Sequence, residues 1–304
     1  MNVTRRAAIV VSCCVAWVAM LCLGAEGGKG AFVAEGKGYR FDTGVVRGKL
    51  RAEGKSLGLT GVVDAATGTP VAGGAGLFSH YRLLDAETRY GGGAWDWASE
   101  SRLLGDGAVE AKWTADEGHP FDMGAVYRWK GADTLDVTTS VTARKDLKGL
   151  EVFLASYFAG FAESLVYVKD GEKAAFVRAV QGGGDWQMYA RDEKAAEVIA
   201  DGRWKRPPNP VDWRVMPRLA RPLGMRRDAK TGLTAVVMSP AEDCFAVSTP
   251  YGEEGHRSLY LSLFGRDVKV GETVTARARL VIGRGITEEK AVAMYEAYAE
   301  EMRR

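Results

Sequence analysis

Apolar and polar residues alternate along residues 121–143, and this alternation is the clearest structural signal in the chain. The positions that share one face are Phe121, Met123, Ala125, Tyr127 and Trp129, then Leu135, Val137, Thr139, Val141 and Ala143. Because successive side chains of a strand point to opposite faces, this period of two predicts antiparallel strands with one buried and one wet face. Residues 152–158 lack the alternation, which predicts a third strand that is covered on both faces.

Short strand patterns, separated by glycine-containing turns, recur through the rest of the chain. They lie at residues 39–41, 48–52, 61–64, 69–72, 76–84, 165–168, 175–177, 233–238, 258–264 and 274–282. In the strand predicted at residues 76–84, the alternation places His80 and Arg82 on one face. Prolines recur through residues 202–227 and forbid regular pairing, so we expect an irregular segment there.

Two helices are also predicted, one over residues 192–199 with Asp192 near its start and one after the capping residue Thr287. The apolar stripe of the closing helix consists of Val292, Tyr295, Tyr298 and Met302. Roughly fourteen strands with little helix predict an all-β fold, a large antiparallel β-sandwich with a short C-terminal helix. Since no Ser/Pro-rich linker divides the 304 residues, we expect residues 25–304 to form a single domain.

Residues 1–24 have the pattern of a signal peptide. A basic start at Arg5 and Arg6 precedes the apolar residues 7–23, and a polar, glycine-rich exit follows. Such a segment predicts export to the periplasm or the extracellular space, with no stable membrane insertion after the leader is cleaved. Whether the exporter is the general secretory or the twin-arginine system stays open.

Loss of the leader changes the charge and the cysteine content. Removing Arg5 and Arg6 from 41 basic residues leaves 39 against 39 acidic ones, so no global basic field suggests nucleic acid as a partner. Cys13, Cys14 and Cys22 leave with the leader. Cys244 then has no partner for a disulfide, and we expect it to be a buried, small apolar residue.

The chain resembles the galactose-mutarotase-like supersandwich family. The resemblance is carried by residues 58–68, the strand over residues 78–84, the strand order of the antiparallel meander predicted over residues 107–158, and Gly265-Arg266-Asp267. The resemblance implies a sugar-facing cleft on a concave sheet, which in that family serves epimerases, polysaccharide lyases and non-catalytic sugar-binding domains. The signature His and Glu motifs of the epimerases are not recognisable, so no catalytic residue is carried over from them.

The most unusual local composition lies in residues 203–227, where eight basic residues face the single acid Asp212. Trp204, Arg206, Trp213 and Arg214 are the candidate binding residues of this segment. Arginine binds a carboxylate or sulfate bidentately and indole faces stack on sugar rings, so an acidic glycan is the expected ligand. The alternative is a proline-rich loop that crosses a sheet, with its tryptophans as core cover and its arginines paired to acids elsewhere.

Two further glycine-rich stretches present tryptophans, namely Trp95 and Trp97 after residues 91–93 and Trp186 after residues 182–184. Aromatic side chains on such loops suit the rim of a sugar-binding site. Each of them could instead be structural, and convergence on one cleft is the stronger prediction.

Three histidines are candidates for chemistry: His80, His119 and His256. Their spacing fits no zinc site, so no metal and no cofactor is predicted. Sugar epimerisation needs a base and an acid, for which Glu254 or Glu253 with His256 or His119 is the minimal set. Uronate elimination needs a base and a neutralised carboxylate, for which His or Tyr with Arg would serve.

Three function hypotheses follow from the sequence. The first is an exported protein that binds or processes a glycan without a metal. The second is an enzyme proper, either an aldose epimerase or a polysaccharide lyase that uses His, Glu or Tyr with Arg. The third is a structural envelope protein without a small ligand. The sequence leaves open which of the three applies and which sugar is involved.

Overall fold

The computed structural model describes residues 30–51 and 58–304. The predicted signal peptide and its three cysteines lie outside the described residues. The described part contains nineteen β-strands in three sheets and two α-helices, so the prediction of an all-β antiparallel sandwich with a C-terminal helix is confirmed.

Four strands form a small sheet in chain order: β1 (Val33–Glu35), β2 (Gly38–Asp42), β3 (Val46–Arg51) and β4 (Gly58–Asp64). Six strands form a second sheet, in the order β14 (Arg214–Met216), β13 (Trp186–Ala190), β17 (Cys244–Pro250), β18 (Ser258–Val268), β10 (Leu147–Tyr157) and β5 (Ser79–Leu84). Nine strands form the third, in the order β12 (Lys173–Arg178), β11 (Glu163–Asp170), β15 (Leu219–Asp228), β16 (Leu233–Met238), β19 (Thr273–Arg284), β9 (Thr134–Ala143), β8 (Phe121–Trp129), β7 (Val109–Trp113) and β6 (Ser99–Leu103). The helices are α1 (Glu193–Ala200) and α2 (Glu288–Arg303).

Strands β8 and β9 of the meander predicted over residues 107–158 form as their alternation predicts, whereas β10, predicted as part of the same meander, belongs to the six-stranded sheet. Strands β8 and β9 pair antiparallel from Phe121 opposite Ala143 to Trp129 opposite Leu135. Buried and half-buried residues alternate along nearly the whole of both strands. The buried side faces the main hydrophobic core, which lies between the nine-stranded and six-stranded sheets.

Strand β10 is covered on both faces, as the lack of alternation over residues 152–158 predicts. Val152 and Leu154 point into the main core. Phe153 and Ala155 point the other way, into a second cluster that includes Tyr260 of β18. The six-stranded sheet therefore has an outer face that is apolar, aromatic and partly open.

The prediction of an irregular segment over residues 202–227 is wrong from Arg214 onward, because β14 and β15 form there. Pro222 lies within β15 and has no N–H to give to a neighbouring strand. The pairing of β15 with β11 is shifted between Gly224 and Leu219, so Pro222 falls at the irregularity. A proline is tolerated within a strand at such a point.

Both helices begin at the predicted caps. The Asp192 side chain accepts a hydrogen bond from the Ala195 N–H at the start of α1, and Thr287 does the same for Lys290 at the start of α2. Helix α2 packs its tyrosines on the outer face of the nine-stranded sheet. Within residues 30–51 and 58–304, no helix is long and apolar enough to span a membrane. Cys244 is buried, as expected.

Candidate functional site

A β-bulge in strand β5 decides which side chains face the open side of the six-stranded sheet. Leu83 lies opposite Val152 of β10, whereas His80 lies opposite Leu154. Tyr81 and Arg82 therefore both oppose Phe153, and the extra residue shifts the alternation by one. The prediction that His80 and Arg82 share a face is wrong for this reason. His80 points into the core, and Arg82 points to the outer face.

His80 is a structural residue of the core. Its Nδ1 lies 3.1 Å from the Tyr127 hydroxyl, which itself donates to the Phe78 carbonyl, so Nδ1 is the donor to Tyr127. Its Nε2 then accepts from the Thr139 hydroxyl at 2.8 Å. Burial lowers the pKa of His80 to about 3, and the ring stays neutral.

A pocket of about 410 Å³ opens on the outer face of the six-stranded sheet. Its lining residues are Tyr81, Arg82, Phe153, Tyr157, Trp186, Trp204, Asn209, Pro210, Val211, Trp213, His256 and Tyr260. Phe153 and Tyr260 lie 4.6 Å apart between ring centroids on adjacent strands. Trp213 meets Trp204 and Trp186 edge to face at 5.3 and 5.7 Å. The result is a concave aromatic surface with a few polar groups, the usual character of a small-ligand site.

A buried ion-pair network holds the segment that carries Trp204. Arg203, which is 1% exposed, binds Asp201 through Nε and Nη2 at 3.0 and 2.8 Å. Its Nη1 donates to the Gly149 carbonyl at 2.6 Å and lies 3.4 Å from Glu151 of β10. The Ser262 hydroxyl donates to the same carboxylate, whose pKa is raised by burial. Arg203, the residue before Trp204, therefore fixes Trp204 to the six-stranded sheet.

The basic segment does not present a free positive surface, because most of its charges have partners. Lys205 pairs with Asp212, Arg218 with Glu193, Arg221 with Glu296, and Arg227 with Glu163 and Glu288. The buried Arg226 donates to the backbone carbonyls of Phe161, Ser258 and Gly252. Arg206 donates to the Asp85 and Ala86 carbonyls, and Arg214 to that of Gly182.

Arg82 differs from the other buried arginines of the described residues because most of its N–H groups lack a partner. It is 4% exposed, and its Nη2 donates to the Asn209 carbonyl at 2.7 Å. In the described part of the chain, its Nε and Nη1 have no hydrogen-bond partner, and no carboxylate pairs with it. Its guanidinium lies 4.7 Å over the Trp204 ring. Sequence reasoning missed this residue because only the bulge brings it to the pocket.

His256 and Glu254 form a dyad at the edge of the pocket. The His256 Nδ1 lies 2.8 Å from one Glu254 oxygen, and the His256 backbone N–H donates to the other at 2.7 Å. The imidazole also packs against Trp186, with 5.1 Å between ring centroids. A carboxylate on Nδ1 fixes the ring and leaves Nε2 to act on a ligand, which is the arrangement of a general base.

Tyrosine hydroxyls provide proton donors in the same pocket. The Tyr260 hydroxyl accepts a hydrogen bond from Ser258, and its ring packs edge to face on Tyr157 at 5.7 Å. Burial raises the pKa of Tyr157 to about 12. Tyr157 is therefore protonated at neutral pH and can donate to a ligand oxygen.

Of the residues predicted from sequence, four line this one pocket: Trp186, Trp204, Trp213 and His256. Trp95 lies just outside it and stacks on Tyr81 at 4.3 Å with 16° between the rings.

Trp97 and His119 lie elsewhere. They stack on each other at 4.2 Å and 8°, and Trp97 belongs to the main core. His119 Nδ1 pairs with Asp116 at 2.8 Å, so this histidine does not join the Glu254 dyad. The reason is that the turn before β8 places His119 with the nine-stranded sheet, whereas the pocket belongs to the six-stranded sheet.

Another cavity, of about 400 Å³, lies at the end of the nine-stranded sheet near Glu163, Arg178 and Arg227. In the described part of the chain no aromatic ring lines it, and Glu163 pairs with both Arg178 and Arg227. Among the described residues, no group of three His, Cys, Asp or Glu side chains comes together in a way that could hold a metal ion.

Searches with the sequence found no match among protein-family models or curated proteins. Comparison of the fold with solved structures did find similar chains. The α-N-acetylgalactosaminidase NagBb from Bifidobacterium bifidum matches with a TM-score of 0.51 and 10% identity, over 89% of this chain and 39% of that one. A galactose mutarotase related enzyme from Lactobacillus acidophilus matches with a TM-score of 0.50 and 9% identity, over 81% of this chain and 97% of that one. The chain therefore has the galactose-mutarotase-like fold that its sequence resembles.

Proposed function

We propose that this chain is an exported protein that binds a carbohydrate in the aromatic pocket, without a metal. The observation that carries the proposal is the convergence of Trp186, Trp204 and Trp213 with Tyr81 and Tyr157 on a single concave surface. Indole and phenol rings offer apolar faces to the C–H groups of a sugar ring, while their polar edges and neighbouring groups can reach its hydroxyls. Export rests on the pattern of residues 1–24.

Two observations support this reading over a structural envelope protein. The fold is shared with an α-N-acetylgalactosaminidase and a galactose mutarotase related enzyme, both named for carbohydrate substrates. The pocket also keeps polar groups among its rings, which a purely structural surface does not need. The proposal covers neutral and acidic sugars alike, because stacking on an aromatic ring does not depend on the charge of a distant substituent.

The test is a glycan-array screen of residues 25–304 at low and moderate salt, followed by calorimetry with the best ligand. We expect Trp213→Ala to weaken binding about 5- to 30-fold, since a lost stacking ring costs about 1–2 kcal/mol. Trp129→Ala is the matched control, because Trp129 packs on Phe32 and Phe41 outside the pocket. Equal binding by Trp213→Ala and wild type would reject the pocket, and silence across the array would favour the structural alternative.

A second candidate function is catalysis on the bound sugar, which the His256–Glu254 dyad favours. Uronate elimination and aldose epimerisation both need a positioned base and a proton donor, for which His256 and Tyr157 are available. A lyase would generate ultraviolet absorbance from an unsaturated uronate, and an epimerase would speed the change of optical rotation. We expect His256→Gln to abolish either activity while glycan binding is retained. If the wild-type protein binds a glycan but shows neither activity, it is a binding module and not an enzyme of these two classes.

A further inference from the structure

We propose that the ligand of this pocket is a sugar that carries an anionic group, and that Arg82 binds that group. This inference rests on the proposed carbohydrate pocket. The anionic group is a carboxylate or a sulfate, because both present oxygens that match the N–H groups of a guanidinium.

Burying the Arg82 guanidinium is costly. A guanidinium stays protonated in proteins, and a buried charge without a counter-charge or a full set of hydrogen bonds is strongly unfavourable. At 4% exposure, Arg82 has one protein acceptor, the Asn209 carbonyl. Its Nε and Nη1 are left without acceptors in the part of the chain that the structure describes.

Within residues 30–51 and 58–304, the other two buried arginines, Arg203 and Arg226, show how this fold treats such a group. Arg203 has Asp201, Glu151 and the Gly149 carbonyl as partners. Arg226 uses all three of its nitrogens on backbone carbonyls. The N–H groups of Arg82 that lack acceptors are therefore specific to the pocket, and are not a general feature of the buried arginines in the described part of the chain.

Arg89 adds a like charge near Arg82. Its Nη2 donates to the Gly92 carbonyl at 2.7 Å, and its Nη1 donates to the Arg206 and Pro208 carbonyls. Its Nε has no partner within residues 30–51 and 58–304. Burial and the charge of Arg82 both lower the pKa of Arg89, so the two cations repel each other. An anion bound to Arg82 would relieve that repulsion.

The Arg82 guanidinium is positioned on the face of the Trp204 ring. With its centre 4.7 Å over the indole, the guanidinium group is supported on an aromatic ring. The same bulge that turns Arg82 outward keeps Tyr81 beside it, and Tyr81 is in turn backed by Trp95. A sugar ring held by the aromatic walls would therefore have its charged substituent within reach of Arg82.

The test compares matched oligosaccharides by calorimetry: tetragalacturonate, its carboxyl-reduced neutral form, and a sulfated galactose tetrasaccharide. We expect one of the two charged probes to bind at least tenfold more tightly than the neutral one, with a preference that weakens as salt rises. Arg82→Gln should remove the preference, so that the charged and neutral probes bind this variant with similar affinity. Arg214→Gln, which changes an exposed arginine of the basic segment, should keep the preference.

The outcomes separate this inference from the proposed function. Tight binding of the carboxylate probe, or of the sulfate probe, supports the Arg82 site and identifies its anion. Equal binding of charged and neutral probes overturns the inference, whereas the carbohydrate pocket stands. A preference that survives in Arg82→Gln also overturns it. If Arg82→Gln does not fold, Arg82→Lys keeps the charge without the planar fork, and an unchanged preference in that variant refutes bidentate recognition.

Discussion

Replacing Arg203 with methionine should unfold the protein more readily than any surface change in the same segment. Methionine keeps much of the side-chain volume but removes the guanidinium that binds Asp201, Glu151 and the Gly149 carbonyl. Glu151 is fully buried and would then keep only the Ser262 hydroxyl as a partner. Breaking a buried pair by removing one partner costs about 3–5 kcal/mol, because the other charge stays behind uncompensated.

That cost can be turned into a melting temperature. For a domain of this size, each kcal/mol lowers the melting temperature by about 2–4 °C, so Arg203→Met should melt about 6–20 °C below wild type. Circular dichroism would follow the sheets, and tryptophan fluorescence would report on Trp204. The loss should shrink at acidic pH. Burial already raises the pKa of Glu151, and without Arg203 this carboxyl would take up a proton more readily, which removes the buried charge.

Arg221→Met is the matched control. Arg221 pairs with Glu296 at 3.3 Å, but both side chains are about half exposed, and such pairs contribute about 0–1 kcal/mol. Glu151→Leu combined with Arg203→Met should recover part of the lost stability, since no buried charge then remains on the strand. If Arg203→Met melts within about 2 °C of wild type, the network does not clamp the segment and the argument for a fixed Trp204 fails.

Three further predictions concern single residues. Folded His80 stays neutral with a pKa of about 3, while the unfolded ring takes up a proton below about pH 6.5. The free energy of unfolding should therefore fall by about 1.4 kcal/mol per pH unit as the pH drops from about 6.5 to about 3. Urea unfolding at several pH values checks this, and the same pH dependence in His80→Gln would contradict it. Cys244, whose pKa burial raises to about 12, should resist thiol reagents in the folded chain at neutral pH and react fully in denaturant; rapid labelling without denaturant would disprove its burial. Thr287→Ala removes the cap of α2 and should cost about 1 kcal/mol in urea unfolding, whereas Thr287→Ser should cost little; equal losses in the two variants would show that the hydroxyl is not the stabilising group.

The sequence predicted the elements whose signal is local. The alternation along β8 and β9 needs no knowledge of their neighbours, because each residue's face follows from its position in the strand. The helix caps at Asp192 and Thr287 are local for the same reason. The gathering of Trp186, Trp204 and Trp213 was predicted only as a convergence, since strand order decides which loops meet.

The sequence could not predict features that depend on two strands at once. Arg82 faces the pocket because β5 has one residue more than β10 at that point, and a count along β5 alone gives the opposite face. Strand β15 was missed because Pro222 was taken to forbid pairing, whereas it falls at an irregularity in the register.

The net charge of the surface formed by residues 203–227 also depends on residues that are distant in the sequence. The acids that neutralise Arg203, Arg218 and Arg221 are Glu151, Glu193 and Glu296. All three lie outside the segment, so its local composition could not reveal that part of its positive charge is already compensated.

The bulge in β5 has a consequence for how such a pocket could arise. In an edge strand, inserting one residue changes which side chain faces outward without disturbing the pairing on either side of it. A lineage could therefore gain or lose an arginine in the pocket by a single codon insertion or deletion, with no substitution at any lining residue. Relatives that differ at this point would be recognised by the length of the strand between His80 and Leu83 rather than by the identity of any one residue.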